Sequence, residues 1–122
     1  MIDRSYVIKA VLFDFDGTLS KPGTLDFPRL KKDIGCPPDV PVLEFIDSLP
    51  TRFQRETSLS VLEQFEMEGA VHSEPNPGAE DLIAYLRSKG IGMGIITRNR
   101  LSCIERALQN FNALDISDFD VV

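Results

Sequence analysis

Two aspartates one residue apart, Asp14 and Asp16, followed by Gly17 and Thr18, are the residues of this 122-residue chain whose type and spacing most directly suggest chemistry. They close the apolar run of VLFDFDGTL, residues 11–19. The four apolar positions Ala10–Phe13 read as a strand buried on both faces, as in a parallel sheet. Both acids then fall at the strand's end, the edge where open α/β sheets bind ligands. Gly17 lets the chain leave the strand through backbone angles that other residues resist. The stretch therefore delivers two carboxylates, held by a rigid strand, into a crevice. A calcium loop also contains DxDG, but here the glycine comes too early and no glutamate stands at the later offset.

The elements that must position these acids can be read along the chain. Tyr6–Phe13 is the first strand, and Ser20–Leu25, with Pro22 and Gly23, is a loop. Phe27–Ile34 forms a short helix that ends at Gly35 and is stopped by Pro37 and Pro38. Pro41 suits the first turn of a second helix, whose Val42, Phe45, Ile46 and Leu49 share one face before Pro50 ends it. Thr51 and Gln54 have capping-box spacing and open a longer helix to about Glu68. Gly69–Asn76 is a linker. Asn76 can cap a further helix with Pro77 at its first position, an apolar stripe of Ala79, Leu82, Ile83 and Leu86, and Gly90 as its close. Ile91–Ile96 is a second buried strand, ending at Thr97. Asn99–Asn110 is helical, and Phe119–Val122 begins a third strand.

The element Asp14-Phe15-Asp16-Gly17-Thr18 resembles motif I of the haloacid dehalogenase (HAD) superfamily of phosphohydrolases. Ile95-Ile96-Thr97-Arg98-Asn99 resembles its motif II, a strand ending in Ser or Thr. The resemblance implies an α/β fold: a HAD-like Rossmannoid three-layer core, here a partial parallel sheet, with a small all-α cap inserted after the first strand. Residues 1–26 and 72–122 would be the core, incomplete at its C-terminal end, and residues 27–71 the cap. It implies Mg²⁺-dependent hydrolysis of a small phosphorylated metabolite through an aspartyl-phosphate. Asp14 would be the nucleophile, and Asp16 the general acid and then base. Asp14 and the main-chain carbonyl of Asp16 would ligate Mg²⁺, a hard cation that takes oxygen ligands. Thr97 would donate its hydroxyl to the phosphoryl group, with Arg98 and Asn99 as further phosphate-binding candidates. Nearby backbone N–H groups at a helix start would assist. An aspartate at position 16 fits the superfamily's phosphatases and phosphomutases. The short helical cap and the GIITRN form of motif II look most like phosphoglycolate-phosphatase-type hydrolases. A phosphomutase, or a non-catalytic phosphate-binding or interaction module, are the alternatives.

Composition narrows the field. The hydrophobic fraction is 43%, the charged fraction 26% and the formal net charge -6, as suits a globular domain and not a general nucleic-acid binder. No apolar run is long enough for a bilayer, and MIDRSYVIK lacks a signal-peptide core, so no membrane partner and a cytoplasmic location are expected. Cys36 and Cys103 read as reduced thiols. His72, the single histidine, reads as a structural or surface residue, Lys31, Lys32, Arg52 and Arg55 as solvated, and Asp115, Asp118 and Asp120 as capping or solvating groups. The superfamily's later motifs, a Lys or Arg and further acids, have no counterpart before Val122. This predicts a weak or inactive chain with one apolar edge of the first strand unpaired. The expected reading is a fragment; the alternatives are a homo-oligomer that completes the sheet, or lost catalysis.

Overall fold

The structure is a computed structural model that describes residues 7–22 and 25–122. Its order is β1 (Ala10–Asp14), a tight loop over Phe15–Leu19, α1 (Phe27–Ile34), α2 (Val42–Ser48), α3 (Arg52–Val71), α4 (Ala79–Ser88), β2 (Gly92–Ile96), α5 (Leu101–Leu108) and a 3₁₀ turn at Ile116–Asp118. Two compact units result: Met1–Pro22 with Ser73–Val122, and Gly23–His72.

In the first unit β1 and β2 run parallel, with Leu12 opposite Gly94 and Asp14 opposite Ile96. The expected third strand is reduced to one parallel bridge, Gly94 with Val121, on the other edge of β2. The Ile95 N–H donates to the Val121 carbonyl at 2.9 Å and the Asp120 N–H to the Met93 carbonyl at 2.7 Å. So β2 lies in the middle, and among the described residues β1 has no second partner strand. The strand expected over Tyr6–Phe13 is shorter: Tyr6 lies outside the described residues and Val7–Lys9 are irregular.

The expectation that β1 is buried on both faces is not met. Side chains alternate across a strand. Phe13 is 8% exposed, Met93 4% and Ile95 2%, whereas on the other face Leu12 is 59% and Ile96 61% exposed. An unbroken apolar run cannot say which face is covered. Burial also needs an element on each side, and the helices of this unit cover one. α4 packs against β2. It buries Ala79, Ile83 and Leu86, while α5 buries Cys103, Ile104, Ala107 and Leu108. The Phe15 and Phe111 rings meet at 6.0 Å.

The second unit is all helical. Asp26 caps α1 through the Arg29 N–H, and Gly35 ends it in the left-handed conformation, as expected. Thr51 and Gln54 form the complete capping box at the start of α3. Leu30, Ile46 and Leu62 make the core, with Ile34, Val42, Phe45, Val61 and Phe65 around it. α3 runs past Glu68 to Val71, into the stretch expected to be linker. The reason is packing. A Cβ on Gly69 would stand 2.2 Å from the Leu25 Cδ2, so glycine there permits a close approach and does not break the helix. Cys36 and Cys103 are buried and neither is in a disulfide.

Two helix starts also differ from expectation. α4 begins at Ala79, preceded by Gly78 at φ 85°, and not at Pro77. α5 begins at Leu101, not Asn99. Asn76, expected to cap α4, instead donates its Nδ2 to the Thr18 carbonyl, and Asn99, expected to be helical, lies in the turn after β2 with its N–H on the Thr97 Oγ1. Ile104 is fully buried whereas Leu101 on the same helix is 52% exposed. Ile104→Ala should therefore lower the unfolding free energy by about 2–5 kcal/mol. Leu101→Ala should stay within about 0.5 kcal/mol of the parent. Urea denaturation of the three proteins checks both.

Candidate active site

The parallel register sets the site. Asp14 ends β1 opposite Ile96, which ends β2. The loops after the two strands therefore leave the same sheet edge side by side.

After β1, Asp16 (φ -66°, ψ 120°) and Gly17 (φ 80°, ψ -4°) take the angles of a type II turn. That turn demands a positive φ at its second central residue, a region that costs a residue bearing Cβ about 1–3 kcal/mol. Phe15 and Leu19 are buried and anchor the loop, Asp14 is exposed, and Asp16 is exposed as a residue with its carboxyl group partly buried. Ser20 closes the neck. Its N–H donates to the Phe15 carbonyl at 3.1 Å. Its hydroxyl donates to the same carbonyl at 3.3 Å and accepts from the Gly17 N–H at 3.4 Å. The Asp14 Oδ1 accepts the Phe15 N–H at 2.9 Å, which fixes the side-chain rotation of that carboxylate.

After β2, the Asn99 N–H donates to the Thr97 Oγ1 at 3.0 Å. The Arg100 N–H donates to the Asn99 Oδ1 at 2.9 Å. With its oxygen so engaged, the Asn99 amide turns its nitrogen to Asp16, donating to Oδ2 at 3.4 Å. Two of the backbone N–H groups that follow Thr97, those of Asn99 and Arg100, are thus partnered inside this turn. Asp14, Asp16, Thr97, Arg98 and Asn99 line one open crevice of about 590 Å³, with Leu12, Phe13 and Ile96 as its apolar wall.

The Asp16 pKa is raised from its ordinary 3.8, chiefly because partial burial penalises the carboxylate. The Asn99 hydrogen bond opposes this and the negative charge of Asp14 adds to it. Among the described residues no three His, Cys, Asp or Glu side chains gather closely enough to hold a metal ion by themselves.

His72 is exposed and follows the last turn of α3. Lys31 donates to the Pro38 carbonyl, Arg55 to the Leu49 carbonyl, and Arg52 pairs with Glu56. Asp115 caps the 3₁₀ turn, Asp118 pairs with Arg87 at 2.5 Å, and Asp120 accepts the Met93 N–H at 2.9 Å. Sequence reasoning missed Ser20, and it took Asn76 for a helix cap. The Asn76 Nδ2 in fact donates to the Thr18 carbonyl at 3.1 Å.

A parallel αβ unit with paired acids in the loop after its first strand and a threonine after its second is the arrangement implied by the resemblance to the haloacid dehalogenase superfamily. Comparison with known proteins agrees. A protein of Saccharomyces cerevisiae described as an uncharacterized hydrolase is 35% identical over 116 residues, 94% of this chain and 53% of that protein. A haloacid dehalogenase-like hydrolase domain-containing protein of Arabidopsis thaliana is 27% identical over 118 residues, 88% of this chain and 47% of that protein. The crystal structure of a predicted phosphoglycolate phosphatase from Haemophilus somnus shares the fold with a TM-score of 0.63 at 16% identity, over 93% of this chain and 61% of that one. No family model matches the chain. The chain is thus similar to haloacid dehalogenase-like hydrolases, and it spans about half the length of the curated relatives it matches. No helix among the described residues is long and apolar enough to cross a membrane.

The raised Asp16 pKa carries a sign for stability. In the metal-free protein the folded state holds this proton longer than the unfolded chain does. Stability therefore falls as pH rises from about 3.8 through the folded value, and the loss is complete above it. Carboxyl-carbon NMR should place the Asp16 midpoint above 3.8, and Asn99→Ala, which removes the opposing hydrogen bond, should move it higher still. A midpoint below the ordinary value would contradict the geometry described.

Proposed function

We propose that the crevice is the phosphoryl-transfer site of a Mg²⁺-dependent phosphomonoester hydrolase. The observation that carries this reading is the convergence of Asp14 and Asp16 from one strand end with Thr97, Arg98 and Asn99 from the neighbouring strand end on a single crevice.

Asp14 is the nucleophile. Its carboxylate forms a bond to phosphorus as the ester oxygen leaves, which makes an aspartyl-phosphate. Asp16 donates its proton to the departing alkoxide. Its partial burial keeps that proton available closer to neutral pH than an ordinary aspartate would. The resulting Asp16 carboxylate then takes a proton from water. The hydroxide oxygen attacks phosphorus, phosphate leaves, and the Asp14 carboxylate is restored. The Thr97 hydroxyl, the Arg98 guanidinium and the Asn99 amide offer donors and positive charge to the phosphoryl oxygens. The Asp14 carboxylate and the Asp16 main-chain carbonyl are both oxygen donors, the chemistry Mg²⁺ prefers, and they would supply part of its shell. When bound, the ion neutralises phosphoryl charge.

The substrate class is a small phosphorylated metabolite. Phosphoglycolate is the first compound to test. The GIITRN form of residues 94–99 resembles that of phosphoglycolate-phosphatase-type hydrolases, and the solved Haemophilus somnus protein bears that description.

Asp14→Asn should abolish both Mg²⁺-dependent phosphate release and trapping of a phosphorylated protein, a loss of at least about 10³-fold, while the far-ultraviolet circular dichroism stays that of the parent. Turnover by Asp14→Asn at the parental rate would remove Asp14 as nucleophile.

A further inference from the structure

The loop that carries Asp16 is held from both sides, and neither holder is among the groups assigned above. Inside the loop stands Ser20, only 3% exposed. Its hydroxyl bridges the Phe15 carbonyl and the Gly17 N–H, the two ends of the peptide segment that contains Asp16. Outside the loop runs the extended segment Ser73–Asn76. The Asn76 N–H donates to the Leu19 carbonyl at 2.8 Å and its Nδ2 to the Thr18 carbonyl at 3.1 Å. The Lys21 N–H donates to the Glu74 carbonyl at 2.8 Å, and Ser20 forms an antiparallel bridge with Pro75. The segment is itself tied down. The Asn110 Nδ2 donates to the Ser73 carbonyl at 2.8 Å, and the Ala79 N–H donates to the Asn76 carbonyl at 3.0 Å.

From this arrangement we infer that Ser20 and Asn76 are positioning residues for the acid–base carboxyl of Asp16, acting through the type II turn and without touching substrate. The inference rests on the phosphohydrolase reading. Among the described residues the Asp16 carboxylate has one lateral hydrogen bond, the long 3.4 Å bond from Asn99, so its direction depends on the backbone beneath it. That backbone turns at Gly17, which has no side chain to restrict it. The bonds at Phe15, Gly17, Thr18 and Leu19 confine the turn, and Ser20 and Asn76 provide them. Asn76 is the sharper case. Its side chain serves the loop and does not cap α4.

A positioning role for a general acid has a signature that loss of folded protein lacks. A poor leaving group needs the proton and a good one does not. Asn76→Asp keeps shape but removes the donor, and Ser20→Ala removes the hydroxyl. Each should lower kcat for an alkyl phosphate such as glycerol phosphate by at least about tenfold. The loss with p-nitrophenyl phosphate should be less than about threefold. Ser20→Thr, which keeps the hydroxyl, should restore the alkyl phosphate rate. Equal losses on both esters would overturn the inference, as would parental rates in both variants. If the parent hydrolyses neither ester, this chain does not by itself carry the proposed activity, and hydrogen exchange then decides the positioning claim. Amides of residues 15–20 should exchange at least about tenfold faster in Asn76→Asp, with those of α5 unchanged. Unchanged exchange in that loop would end the claim.

Discussion

The parallel pairing of β1 with β2 stops both strands at the same level, Asp14 beside Ile96, and the site depends on that alignment. Two loops leave the sheet together, one with a pair of acids, the other with Thr97, Arg98 and Asn99. A slip of one residue would invert the strand, because side chains alternate with a period of two. Phe13 would turn outward, Leu12 inward, and the 3.4 Å contact between Asp16 and Asn99 would be lost. Burial of Phe13, Met93 and Ile95 on one face therefore also sets the placement of the carboxylates. The hydrophobic core specifies the register, and the register specifies the chemistry.

Several polar groups of the crevice have their direction set by a neighbour. Phe15 holds Asp14, Ser20 holds the turn under Asp16, and Arg100 engages the Asn99 oxygen so that its nitrogen faces Asp16. Such preorganisation matters because a phosphoryl-transfer site gains from donors already aimed at the developing charge. It also explains the divided electrostatics of Asp16. Burial and Asp14 disfavour its charge, while the Asn99 amide favours it. Under the proposed mechanism, a carboxyl whose charge is disfavoured in this way suits the role of acid.

Stability is spread differently between the two units. The helical unit draws on local signals: the Asp26 cap, the Gly35 stop, the Thr51–Gln54 box and a compact cluster around Leu30, Ile46 and Leu62. The α/β unit depends on contacts distant in sequence, such as the pairing of β1 with β2 and the meeting of the Phe15 and Phe111 rings. One face of its sheet, with Leu12 and Ile96, stays open, and the crevice takes its apolar wall from those same side chains.

Much of this was legible in the residues alone. The spacing of Asp14, Asp16 and Gly17 after an apolar run foretold a strand, a turn with positive φ and the similarity to haloacid dehalogenase-like proteins. Prolines, glycines and capping residues marked α1, α2 and the start of α3, because those signals act within one turn of helix. What the residues could not settle was every question answered at a distance. Which face of β1 is covered depends on where α4 and α5 pack. Gly69 continues a helix because Leu25 fills the space beside it. Asn76 and Asn99 carry the composition of helix caps, yet each spends its amide on the loop after β1. A short polar side chain takes whichever partner the fold presents, and only the tertiary structure brings positions 16, 18, 76 and 99 to one edge of one sheet.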